Sequence, residues 1–141
     1  MKTKTLMMFC ILLCAGLIQL PAQTLHKGAV LAIKNITVIL QPDVTMNQFL
    51  EFEFNKEIPE FEKNFPGVKK FILIGDRGEK KYQLLEIQYF ESVEVRDKYW
   101  KDINVPTDEG KLARDKMWDI FEESFKYIVD LTEESTEWII L

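Results

Sequence analysis

The 141-residue chain reads as an α+β domain in which one antiparallel sheet is covered by helices on one face. Three observations predict this. A run rich in β-branched residues, VLAIKNITVIL at 30–40, is bounded by Gly28 and Pro42 and reads as a strand. An aromatic stretch at helical spacing follows it. Two further strand-like runs, 68–75 and 82–90, then flank the turn DRGEK, where Gly78 can supply the positive φ of a hairpin.

Thr45 with Gln48 three residues on has the pattern of a capping box that opens the first helix. Leu50, Phe54, Ile58, Phe61 and Phe65 recur every three or four residues, which assigns them to one buried face. Pro59 has no N–H to bond back one turn, so a kink or restart is expected near Glu57, and Pro66-Gly67 ends the helix. Along 82–90, Leu85, Ile87 and Tyr89 share one strand side, while Leu84, Glu86, Gln88 and Phe90 share the other.

Ser92 caps the next helix, where Glu94 and Asp97 stand four residues before Lys98 and Lys101, the favourable order for ion pairs. Thr107 caps another helix with Asp108 and Glu109 in its first turn. Its core stripe is predicted to be Ala113, Met117, Ile120, Phe121, Phe125 and Ile128. TEWIIL at 136–141 reads as a last strand.

Strand, helix, strand, strand, helix with an extra helix, strand is the order of a ferredoxin-like βαββαβ sandwich with a four-stranded antiparallel sheet. Helices on one face leave the other sheet face bare. A second copy packed sheet to sheet covers it, so a homodimer is expected.

Residues 1–22 read as a signal peptide. Lys2 and Lys4 precede a nearly unbroken apolar run that ends in Leu20-Pro21-Ala22, which places cleavage between Ala22 and Gln23. The run is short for a membrane span, so no stable anchor is expected after cleavage. A lipoprotein anchor at Cys14 fits less well, because Leu13 stands where a small residue is usual. The expected product is an exported, periplasmic or secreted single domain at 23–141.

Both cysteines, Cys10 and Cys14, fall inside the signal, which removes disulfides, thiol nucleophiles and thiolate metal sites from the domain. Without Lys2 and Lys4, 16 basic residues remain against 23 acidic ones, a net charge of −7. That surface repels phosphate backbones, and nucleic-acid binding is excluded as a function class.

FLEFEFNKEIPEFEKNFPGVKKFIL at 49–73, followed by EIQYFESVEVRDKYW at 86–100, resembles the dimeric α/β-barrel superfamily that includes antibiotic-biosynthesis-type monooxygenases (ABM-like) and EthD-like proteins. The landmarks are a long first helix, a Pro-Gly turn into the second strand and an ES step from the third strand into the second helix. The resemblance spans 30–100 and speaks to architecture. Its small haem-degrading subgroup pairs an asparagine on strand one with a tryptophan in helix two and a later histidine. Asn35 and Trp100 stand in similar positions, but no histidine follows Trp100, so the usual haem ligation is lost.

Asn35, Glu86 and Trp100 are therefore the ligand-lining candidates. Asn35 either orients a ligand or satisfies backbone groups. Glu86 and Gln88 project together, where a carboxylate among aromatics could act as a base, or they pair across a dimer interface. Tyr99, Trp100 and Trp118 either stack on a flat apolar ligand or fill the core. His26, the only histidine, reads as a solvated residue near the new N-terminus, and no metal site follows from it.

Phosphate loops, helical zinc pairs, nucleophile triads and calcium loops are absent from the sequence, so an enzyme of this type is expected to need no bound cofactor. Two functional readings remain. One is a small-molecule-binding protein, with cofactor-independent monooxygenase or isomerase activity on an apolar or aromatic compound as its catalytic form. The other is a non-catalytic envelope dimer that acts through protein interactions.

Overall fold

A computed structural model of the chain describes residues 25–141. The proposed signal peptide, its cleavage site and both cysteines lie outside the described residues. The first strand, β1, is Val30–Leu40. Thr45 caps the helix α1 (Met46–Phe52), and the reciprocal capping box with Gln48 is formed as its sequence implies.

The helix does not break at Pro59; it widens. Glu53–Glu57 forms a π-helical turn, closed by the Ile58 N–H donating to the Glu53 carbonyl five residues back, and α2 (Ile58–Asn64) continues with Pro59 in its first turn. Proline cannot donate one turn back and its ring crowds that carbonyl, so the extra residue in the turn relieves both problems. The register shift also changes the buried face. Phe49, Phe52, Phe61 and Phe65 are buried as apolar anchors, whereas Phe54, assigned to the core by periodicity, points to solvent and Glu53 and Glu57 turn inward.

Gly67, at φ 86°, turns the chain into β2 (Val68–Ile74), and β3 (Leu84–Phe90) begins two residues later than expected. Ser92 caps α3 (Val93–Tyr99). A short hairpin follows, β4 (Trp100–Asp102) and β5 (Val105–Pro106), so Trp100 opens a strand rather than lying in the helix. The single long helix expected after Thr107 is two, α4 (Asp108–Asp115) and α5 (Trp118–Ser124). Ala113 and Met117 are buried as the stripe requires, but Phe125 is exposed beyond the end of α5. Ile128 opens β6 (Ile128–Ile139), which is much longer than TEWIIL alone suggested.

The sheet order is β2-β3-β1-β6, with every neighbouring pair antiparallel, which is the ferredoxin-like topology. The helices cover one face. Val30, Ala32, Val68, Phe90, Phe61, Phe65, Tyr99, Ala113 and Met117 form the main core cluster. A second cluster, Ile36, Phe49, Leu84 and Ile128, lies towards the other end of the same strands. No helix among the described residues is long and apolar enough to cross a membrane.

Candidate functional site

A polar belt separates the two apolar clusters. On β1, Lys34 lies between Ala32 and Ile36; on β2, Lys70 lies between Val68 and Ile72; on β3, Glu86 and Gln88 lie between Leu84 and Phe90. Paired residues on neighbouring strands share a face. The register pairs Lys34 with Glu86 and Lys70 with Gln88, so these side chains face the helices together. From above, the π-helical turn lowers Glu53 and Glu57 onto them.

Lys70 is the hub. Its side chain is 9% exposed, and Nζ stands 2.8 Å from Glu57 Oε2, 2.9 Å from Glu86 Oε2 and 3.7 Å from Glu53 Oε2. Lys34 Nζ reaches Glu133 Oε2 on β6 at 3.0 Å and Glu86 Oε1 at 3.6 Å. Gln88 Nε2 donates to Glu86 Oε1 at 2.7 Å.

Surroundings set the protonation of each group. Burial disfavours the charge on Lys70, but Glu86, Glu57 and Glu53 outweigh it and raise the ammonium above its ordinary range. Burial also opposes the charge on Glu86, and Lys70 and Lys34 more than compensate, holding this carboxyl below its usual range. Glu53 behaves in the opposite way. Burial pushes it up; Lys70 resists, Glu57 and Glu86 add repulsion, and the result is about 8. Its Oε2 is buried and makes no hydrogen bond.

The belt opens into a cleft of about 450 Å³ between sheet and helices. Phe61, Phe65, Trp100 and Phe121 supply aromatic wall, and Arg114 and Glu133 also border it. Trp100 stacks on Phe65 with centroids 5.1 Å apart and meets Phe90 edge to face at 5.4 Å. A volume of this size, with an aromatic wall facing a set of convergent charged and polar groups, falls in the range of small-molecule sites.

Of the residues predicted from sequence, Glu86 and Trp100 both border this cleft. Asn35 does not. It pairs with Leu85 across β1 and β3, so it lies on the opposite, exposed sheet face, where Gln83 Nε2 contacts its Oδ1 at 3.4 Å. Glu86 and Gln88 face the helices rather than the bare sheet face, which takes them out of any sheet-to-sheet interface. Tyr99 is buried in the core, and Trp118 is exposed with its Nε1 donating to Glu122. His26 is exposed, as expected, but tethered: its two ring nitrogens lie 2.9 Å from Tyr89 Oη and 2.8 Å from the Glu91 carbonyl oxygen.

The bare sheet face carries Leu31, Phe71, Leu73, Ile87 and Tyr89, which with Leu25 line a shallow apolar depression of about 200 Å³. Phe71 and Leu73 are each nearly half exposed.

No family model matches the chain, and no curated protein matches it. Solved structures do. A NIPSNAP family protein of unknown function from Agrobacterium tumefaciens aligns with a TM-score of 0.50 at 9% identity, covering 83% of this chain and 94% of that one. An uncharacterized NIPSNAP-like domain protein from Burkholderia xenovorans aligns with a TM-score of 0.48 at 12% identity, over 78% and 84% of the two chains. An EthD family protein from Bacillus halodurans aligns with a TM-score of 0.40 at 24% identity, over 79% and 99%. At these identities what is shared is the fold. The four-stranded antiparallel sheet in the order β2-β3-β1-β6, with helices over one face, is a ferredoxin-like fold, and that fold is what the chain shares with the Agrobacterium protein.

Proposed function

We propose that the chain is an exported small-molecule-binding protein whose ligand occupies the cleft between sheet and helices, and that it works as a sheet-to-sheet homodimer. One observation carries the binding reading: a buried carboxyl oxygen without a hydrogen-bond partner, Glu53 Oε2, borders an aromatic-walled cleft. Natural cores pair their buried polar groups, and an orphan at a cavity is the signature of a position reserved for something else. Aromatics that only packed would leave no cleft of about 450 Å³ beside them. Isomerase or cofactor-independent oxygenase chemistry belongs to this reading, because Glu53 is poised to exchange a proton near neutral pH.

The dimer reading rests on the outer sheet face. Its apolar stripe runs across β1, β2 and β3, and no helix among the described residues lies over it. A two-fold copy presents the same stripe in return. Export rests on residues 1–22.

The binding test uses N-phenyl-1-naphthylamine, a neutral fluorophore, with the domain 23–141. Saturable binding is expected, weakened at least about tenfold in Leu131→Trp, which fills the cleft from β6 without removing core. Wild-type affinity in that variant would place the ligand elsewhere.

A further inference from the structure

Each cation of the belt has its carboxylates, and one hydrogen-bonding position is left over. An ammonium has three N–H groups. Lys70 donates to Glu57 at 2.8 Å and forms an ion pair with Glu86 at 2.9 Å, while Glu53 Oε2 at 3.7 Å is too far for a further hydrogen bond. Lys70 therefore keeps a free N–H and Glu53 Oε2 stands unpartnered beside it, both on side chains 9% exposed. A hydroxyl oxygen satisfies both at once, because it accepts from one neighbour and donates to the other. The last torsion of a glutamate is soft, so its carboxyl can turn to receive one.

The rest of the cleft limits what can carry that hydroxyl. The Lys70 ammonium lies 5.6 Å from the Phe61 ring centroid, and the Trp100–Phe65 stack stands on the same cleft. Flat apolar surface fits against those rings. An anion would meet the carboxyls of Glu53, Glu57, Glu86 and Glu133, and a cation would meet Lys34, Lys70 and Arg114. We infer that the cleft takes a neutral, planar, apolar alcohol or phenol, whose hydroxyl accepts from the Lys70 ammonium and donates to the Glu53 carboxyl. This rests on the cleft being the ligand site and names the class of ligand for it.

Glu57 on its own helix, Lys70 on β2 and Glu86 on β3 act on Glu53 directly, and Lys34 on β1, Glu133 on β6 and Arg114 on α4 border the same cleft. The Glu53 carboxyl is raised to about 8. Its ionised form is the stronger acceptor, so preference for a hydroxyl donor rises as pH passes upward through that value.

A matched pair tests this: 2-naphthalenemethanol, which does not titrate in the range, and its methyl ether, which keeps the ring and the acceptor oxygen but cannot donate. Titration calorimetry at pH 6.5 is expected to show the alcohol binding about fivefold tighter than the ether, the worth of one net hydrogen bond. That ratio grows at pH 9.5 in the wild type. It stays constant with pH in Glu53→Gln, which accepts without titrating, and falls to about one in Glu53→Met. Because each readout is a ratio within one variant, a change in folding does not imitate it. Equal binding of alcohol and ether by the wild type, or an unchanged ratio in Glu53→Met, overturns the hydroxyl inference and leaves the cleft as the site. Failure of both compounds to bind overturns the cleft reading as well.

Discussion

Lys70 on β2 and Glu86 on β3 meet at 2.9 Å although they are not direct partners in the sheet; Lys70 pairs with Gln88 and Ile72 with Glu86. The contact is diagonal, within reach of a long side chain on the same face. It lets one ammonium satisfy a strand carboxylate and the helix carboxylate of Glu57 together. Removing that ammonium leaves buried carboxyls without compensation. Lys70→Met is expected to cost about 3–5 kcal/mol in urea unfolding at pH 7, and adding Glu57→Gln and Glu86→Gln to it should recover part of the loss. A Lys70→Met variant as stable as wild type would mean the belt contributes nothing to folding.

Glu53 predicts an unusual pH dependence. In the native chain it keeps its proton up to about 8, whereas an unfolded glutamate releases it near the ordinary value of 4.5. Between those values the native state carries the extra proton, so this group makes stability fall as pH rises across the window. Glu86, held low by Lys70 and Lys34 despite burial, acts in the opposite sense, losing its contribution as pH falls, and is common to both proteins compared. Glu53→Gln should therefore match wild type near pH 4 and exceed it at pH 8 by on the order of 4 kcal/mol, read from urea unfolding at the two pH values. A constant difference between variant and wild type across that range would show that Glu53 ionises normally in the fold.

The fold was legible because its signals are local and agree. The capping box at Thr45, the β-branched run in β1, the alternation along β3 and the Ser92 and Thr107 caps each specify their own element, and their order allows few topologies. Half of the site was legible for the same reason. Alternation in β3 put Glu86 on a defined face, and the resemblance singled out Trp100, although as a residue of the helix rather than the first of β4. Glu53 and Glu57 were missed because a uniform 3.6-residue period turns Phe54 inward, and only the π-helical turn reverses that. Pro59 was the available signal: a proline that must be accommodated without a break shifts the register before it. Asn35 was misplaced because β1 is apolar on both faces, so alternation did not say which side met the helices.

The outer sheet face supplies a test of assembly. Phe71 and Leu73 on β2 and Leu31 on β1 present apolar surface beside Ile87 and Tyr89. Phe71→Glu places a charge in the centre of the proposed interface, and its copy faces the same charge across a two-fold axis. Sedimentation at micromolar concentration is expected to show a dimer for the wild type and a monomer for Phe71→Glu, with the cleft's fluorophore binding retained. A monomeric wild type would remove the sheet-to-sheet arrangement.

Gly110 ties the helices to the floor of the cleft. Thr107 caps α4 by accepting from the Gly110 N–H at 3.0 Å, while its own N–H donates to the Tyr99 carbonyl and its hydroxyl to the Lys98 carbonyl, stitching α4 to the end of α3. The helices approach so closely there that a Cβ on Gly110 would stand 2.1 Å from the Tyr99 carbonyl oxygen. Backbone must therefore shift to admit any side chain. Helix propensity alone favours Gly110→Ala by about 1 kcal/mol, whereas overpacking of this kind costs about 1–3 kcal/mol, and the near-backbone contact puts the cost at the upper end. The expected net result is a variant less stable by about 1–2 kcal/mol in urea unfolding. Trp100 follows Tyr99 directly, so the same shift should disturb its stack on Phe65 and weaken binding in the cleft. A stabilised Gly110→Ala with unchanged binding would show that α3 and α4 are not held at this distance.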